Sequence, residues 1–170
     1  MRNLCKLKGV TMGRGSSFYG FAKVKRANGS QINIGKRLTL RSSSTSNLIG
    51  VNRPCIISTF SHGAKLLIGD NCGFSGTVIG CFKEVVIGNN VMAGANTLIT
   101  DGDWHPDDSR TSDSRPVTLG NNVWLGINVT VLKGVRIGEN SVVGAGSIVT
   151  SDIPANVIAA GTPCRIIREF

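Results

Sequence analysis

Residues 119–150 read LGNNVWLGINVTVLKGVRIGENSVVGAGSIVT. In steps of six from Leu119 this stretch places Leu125, Val131, Ile137, Val143 and Val149 in one register, all aliphatic. Four places after each of these six lie Val123, Val129, Val135, Ser141, Ser147 and Ile153, which are small or β-branched. Neither the 3.6-residue period of a helix nor simple alternation yields that pattern. A six-residue repeat predicts a parallel β-helix, with one short strand and one corner per hexad. Three hexads then close a triangular coil of about 18 residues.

A second motif tests the coil length. An aliphatic residue, Gly, any residue and Asn occur at Ile49-Gly50-Val51-Asn52, Ile68-Gly69-Asp70-Asn71 and Ile87-Gly88-Asn89-Asn90. The motif recurs at Leu119-Gly120-Asn121-Asn122 and Ile137-Gly138-Glu139-Asn140. The spacings are 19, 19, 32 and 18, so the motif is expected to mark one corner of the prism. Gly permits close packing there, and Asn is the non-Gly residue that best tolerates a left-handed turn. The spacing of 32 implies about fourteen extra residues in one coil. Because the hexad Ile87, Ala93, Ile99 is intact, the excess falls on a protruding loop at about 101–116, from Asp101 to Pro116. Long loops on rigid repetitive scaffolds are usually functional or disordered, and this one carries Trp104-His105-Pro106.

Composition agrees with an all-β fold. The 22 glycines stand beside 16 Val and 16 Ile, all weak helix formers, while charged residues are only 17%. One domain over 1–170 is expected, with an N-terminal cap over 1–30, coils over 31–154 and a C-terminal tail over 155–170. Ser42 to Ser46 reads as a turn.

Charge is unevenly placed. Residues 1–69 hold 12 Lys and Arg and no Asp or Glu; residues 70–170 hold 7 basic against 10 acidic residues. The basic half suits an anionic partner such as a phosphorylated sugar, an acidic glycan or, by peripheral contact, a membrane surface; a merely solvated face is the other reading. No aromatics interleave with these charges for base stacking, which weighs against nucleic acid. No stretch approaches the ~20 apolar residues of a transmembrane segment. The five cysteines show no C-x-x-C spacing, and the opening residues show no apolar signal region, so a cytoplasmic location is expected.

Only two histidines are present, His62 and His105. His62, in Ser61-His62-Gly63, reads as a turn residue. His105 lies at the base of the loop, and a neutral imidazole is the natural general base for deprotonating a hydroxyl or amine. Asp103 is the first candidate to orient it. Two histidines and no cysteine pair give no metal site, so none is expected. Val143-Gly144-Ala145-Gly146-Ser147 lacks the third glycine and the strand-to-helix context of a dinucleotide loop.

Taken together, these motifs resemble the hexapeptide-repeat acyltransferases. The likeness is strongest to galactoside and maltose O-acetyltransferases, and within them to sugar O-acetyltransferases of bacterial surface-polysaccharide clusters. It covers roughly residues 64–170, through Phe74-Ser75-Gly76-Thr77, Asp101 to Pro106, Gly120 to Gly126, Gly144 to Ser147 and Gly161-Thr162-Pro163-Cys164-Arg165. The resemblance implies a left-handed β-helix, a homotrimer with active sites between subunits, and acetyl-CoA as co-substrate.

His105 would then be the catalytic base for direct attack of a sugar hydroxyl on the thioester, with an oxyanion donor near Leu125-Gly126. Trp124, Gly126, Ala145 and Thr150 would follow the coenzyme, and Arg165 and Arg168 its phosphates; Trp124 also reads as a residue filling the prism surface. Ser75 and Trp104 would meet the acceptor. Ser75 replaces the sugar-binding Asn of the galactoside enzymes, and no acid stands near Cys81-Phe82 where they have an acceptor Asp. Ser151 also replaces a frequent Lys. The expected activity is O-acetylation of a sugar in a polysaccharide or its precursor. N-acetylation of a nucleotide-linked amino sugar, and a non-catalytic β-helix scaffold, are the alternatives.

Overall fold

In the computed structural model, which describes residues 2–105 and 107–170, short strands stack into three parallel sheets, the faces of a triangular prism. The first face stacks Thr11–Met12, Gln31–Ile34, Lys65–Ile68, Glu84–Ile87, Val117–Leu119 and Arg136–Ile137. The second stacks Ser17–Tyr19, Thr39–Arg41, Gly73–Ser75, Met92–Ala93, Trp124–Leu125, Val142–Val143, Val157–Gly161 and Cys164–Glu169. The third stacks Lys23–Lys25, Ile56–Thr59, Val78–Cys81, Leu98–Thr100, Thr130–Val131 and Ile148–Val149. The chain visits the three faces in that order on each turn, which is the expected parallel β-helix.

Each hexad residue points into the prism. Ile34, Ile68, Ile87, Leu119 and Ile137 are successive partners on the first face. Leu40, Phe74, Ala93, Leu125 and Val143 line the second. Val24, Ile57, Ile79, Ile99, Val131 and Val149 line the third. All are buried. Burying one such large side chain contributes about 1.5–3 kcal/mol, so every added coil extends one continuous core.

The corner after the first face works as the motif implied. Asn71, Asn90, Asn122 and Asn140 have φ of 60°, 58°, 58° and 60°. Their amides form a ladder up the prism: each side-chain NH2 donates to the next Asn carbonyl, at 3.1, 3.0 and 2.9 Å, and Asn140 continues to Asn156 at 2.9 Å. The preceding glycines serve a different need. A Cβ on Gly69 would sit 2.6 Å from the backbone of Gly88, so the coils can meet only where it is missing.

Two expectations are corrected. Ile49-Gly50-Val51-Asn52 is not a corner: Ile49 is exposed, and Ile34-Gly35-Lys36-Arg37 takes the place, with Ile34 paired to Ile68 and Arg37 at φ 56°. Leu40 and Ile57 therefore lie 17 residues apart instead of six, and the chain from 42 to 54 makes an outward excursion that contains the expected turn, closed by the Ser46 N–H donating to the Ser43 carbonyl at 3.0 Å. The first coil starts at Thr11, not at 31; among the described residues the helix Arg2–Leu7, whose Cys5 is buried, precedes it. Met12, Phe18 and Val24 carry the six-residue step, but two of them are bulky and partly exposed, which hid the register. The C-terminal tail over 155–170 is structured, with Val157–Gly161 on the second face and Cys164–Glu169 returning antiparallel to it.

Among the described residues no helix is long and apolar enough to cross a membrane. Gly69→Ala should lower the free energy of unfolding by about 1–3 kcal/mol through overpacking against Gly88. An unchanged urea midpoint would show that the corner spacing is not set by this contact.

Candidate active site

The loop that carries His105 leaves the corner between the third and first faces, and its root is fixed by a buried carboxylate. Asp101 accepts the backbone N–H groups of Phe82 at 2.6 Å and of Lys83 and Glu84 at 2.7 Å. Burial, and secondarily this carboxylate, push the neighbouring Cys81 thiol up to about 12. Above the root, Trp104 adopts φ 66°, a conformation costing about 1–3 kcal/mol for a bulky residue. Aromatic packing holds it there. Its ring stands edge-on to Phe60 at 4.9 Å and Phe82 at 5.7 Å, and those two stack at 4.8 Å. Gly80 leaves the space the indole occupies.

Asp103 does not play its expected part. Its carboxylate accepts from the Lys133 ammonium and from the Ser112 N–H at 3.2 Å, and Lys133 also donates to the Ser112 carbonyl and hydroxyl at 2.9 and 2.7 Å. Lys133, then Ser112, hold the Asp103 carboxyl below the usual carboxylate range. Among the described residues no hydrogen bond joins it to the His105 imidazole. It braces the loop through Ser112 and Lys133 instead. His105 itself is exposed, with its carbonyl accepting from the Asp108 N–H at 3.1 Å and the Thr111 hydroxyl at 3.2 Å. Pro106 lies outside the described residues.

A cleft of about 920 Å³ runs along the second face. It brings together Ser75, Trp124, Gly126 and Ala145, four of the expected site residues, from three different coils. The excursion over 42–54 walls one side, where Asn47 donates to the Ser75 hydroxyl at 3.2 Å. The Gly126 N–H is already committed to the Val143 carbonyl at 2.8 Å, so it cannot serve an oxyanion. One residue on, the Ile127 N–H has no hydrogen-bond partner among the described residues, and Ile127 lines the cleft.

The other expected residues lie elsewhere. Thr150 is exposed just past Val149, at the same corner as the His105 loop. Arg165 and Arg168 sit on the terminal antiparallel strand, with Arg165 bonded to the Cys164 carbonyl at 2.9 Å and Arg168 over the Phe170 ring. Trp104 and His105 border a separate shallow hollow with Asp107, Asp108 and Ser109. In a triangular prism, the corner between the third and first faces is opposite the second face. One chain therefore holds His105 and the cleft on opposite sides. Among the described residues, no group of three or more His, Cys, Asp or Glu is placed to hold a metal. Arg37, Arg41 and Asn47 also line the cleft and went unread in the sequence, since the corner at Ile34-Gly35 and the following excursion were misplaced.

Residues 116–151 match the family model for bacterial transferase hexapeptide, six repeats. That stretch of the chain carries the hexapeptide repeat of such transferases. It is 47% identical over 117 residues to the galactoside O-acetyltransferase of Escherichia coli (strain K12), covering 65% of this chain and 57% of that one. The galactoside O-acetyltransferase of Lactococcus lactis subsp. lactis (strain IL1403) is 50% identical over 92 residues, 51% of this chain and 44% of that one. Among solved structures, a galactoside acetyltransferase in complex with coenzyme A aligns over 94% of this chain and 64% of its own, at 28% identity and a TM-score of 0.51. The chain thus spans roughly half the length of these curated relatives.

The Asp103–Lys133 brace has a pH signature. Asp103 titrates lower in the folded than in the unfolded chain, so the brace is fully present above about pH 4 and is lost as the pH falls through the lowered value. At pH 8, Lys133→Met should speed tryptic cutting after exposed Arg110 several-fold, with the unfolding midpoint barely moved. Equal cutting rates would show that the brace does not hold the loop.

Proposed function

We propose that this protein is an acetyl-CoA-dependent O-acetyltransferase acting on a sugar hydroxyl of a polysaccharide or its precursor. The observation that carries the reading is the cleft, which unites Ser75 on the acceptor side with Trp124, Ile127 and Ala145 on the donor side. The departures at Ser75 and Cys81-Phe82 favour a sugar other than a simple galactoside. Nearly half-identical galactoside O-acetyltransferases support acetyl transfer, and the coenzyme-bound relative supports a CoA donor.

The geometry also favours a homotrimer. His105 faces away from its own cleft, so a neighbouring copy must supply the base to each site. There the imidazole removes the proton of the acceptor hydroxyl while its oxygen attacks the thioester carbonyl. The Ile127 N–H is the free donor for the resulting oxyanion, a role that typically contributes ~3 kcal/mol. Collapse breaks the carbon–sulfur bond, and the CoA thiolate takes the proton back from the imidazolium. Ala145 borders the pantetheine path, with Arg165 and Arg168 beyond it for the phosphates. The five cysteines are buried and unpaired, which supports a reducing, cytoplasmic setting.

His105→Ala should lower the acetyl-transfer rate about 10²- to 10⁴-fold while leaving the acetyl-CoA dissociation constant unchanged. A near-normal rate, followed as free CoA release, would overturn the assignment of the base.

A further inference from the structure

The cleft is chemically two-ended. It spans the strands from Thr39–Arg41 to Val142–Val143, four ladder steps or about 19 Å. The end at Val142 is apolar, lined by Trp124, Ile127 and Ala145. The other end is polar and cationic: Arg37, Arg41, Asn47, Asn71 and Ser75 meet there. Among the described residues no carboxylate lines the cleft, and neither arginine forms an ion pair.

Arg41 is held in place before any ligand arrives. It is half-buried, its Nη1 donates to the Ser46 carbonyl at 2.6 Å, and its guanidinium lies 4.6 Å over the Tyr19 ring. Its other N–H groups have no partner among the described residues. Arg37 is steadied by its Nε bond to the Asn71 side chain. Around them, the first 69 residues carry twelve cationic side chains and no acid, and Asp70, the first acid in the chain, accepts the Lys36 N–H at 2.7 Å and forms no ion pair with either arginine. Fixed, planar and unpaired guanidinium groups match the geometry of a phosphate or carboxylate and leave a neutral sugar with nothing to neutralise them.

We propose that the acceptor is an anionic sugar, bearing a phosphate or carboxylate that sits against Arg41 and Arg37 beside Ser75. This rests on the acetyltransferase reading and adds the class of acceptor. The phosphates of acetyl-CoA are the competing anions. They are assigned to Arg165 and Arg168, six ladder steps from Arg41, about 29 Å away.

The test uses the full chain saturated with CoA and three probes: galactose, galactose 1-phosphate and galacturonate. Calorimetry should show at least one anionic probe bound about tenfold or more tighter than galactose. Arg41→Gln, and separately the exposed-site variant Arg37→Gln, should each erode that advantage, with the acetyl-CoA dissociation constant and oligomer mass unchanged. Which anionic probe wins separates phosphate from carboxylate. Equal binding of charged and neutral probes, binding of none, or a fall in acetyl-CoA affinity or oligomer mass in both variants overturns the proposal. Acetyl transfer to galactose without charge preference would remove this inference and keep the acetyltransferase. Anion-selective binding without transfer to any probe would do the reverse.

Discussion

The structure depends on how closely successive coils approach at their corners. Gly69 lies against Gly88, Gly88 against Gly120, and Gly94 against Gly126, each with less room than a methyl group requires. The following asparagines take the left-handed turn and bond to one another up the prism. Glycine and asparagine thus fix the rise and the register together. With the corners fixed, the aliphatic column at Leu119, Leu125 and Val131 has only one way to face, and the core follows. The outward residues, freed from packing, can then build a cleft or extend a loop.

That constraint also decides where chemistry can sit. Extra residues are accommodated only at corners, and the largest excess, 101–116, leaves from the corner opposite the second face. The excursion over 42–54 belongs to the cleft instead, and Asn47 ties it to Ser75. A buried Asp101, the stacked Phe60, Phe82 and Trp104, and the Asp103–Lys133 brace keep the His105 loop on a defined path. A site that needs both His105 and the cleft must therefore be shared between copies.

How much of this was legible follows from where the repeat is regular. From Leu119 to Val149 the hexads are uninterrupted, and every inward position was read correctly. The loop around His105 was found because its coil is otherwise intact. Before Ile68 the reading failed for a definite reason: an exposed Ile49-Gly50-Val51-Asn52 imitates the corner motif at a coil-like spacing, while the true corner ends in Arg37 instead of Asn. That error concealed the 42–54 excursion and with it Arg37, Arg41 and Asn47. Asp103 was misread because proximity in sequence suggested His105, whereas the fold offers it a stronger cation in Lys133, thirty residues away. Of the Leu125-Gly126 region expected to offer a free donor, the Gly126 N–H is spent on the ladder, while the neighbouring Ile127 N–H has no partner among the described residues.

The most direct measurement is subunit complementation. His105→Ala removes the proposed base, and Ala145→Trp fills the cleft; each variant alone should be nearly inactive. Co-expressed so that they assort at random in a cyclic trimer, the pair should recover about one quarter of wild-type acetyl transfer, because one site in four joins an intact loop to an intact cleft. Activity no higher than the sum of the separate variants would contradict a site shared between neighbouring chains.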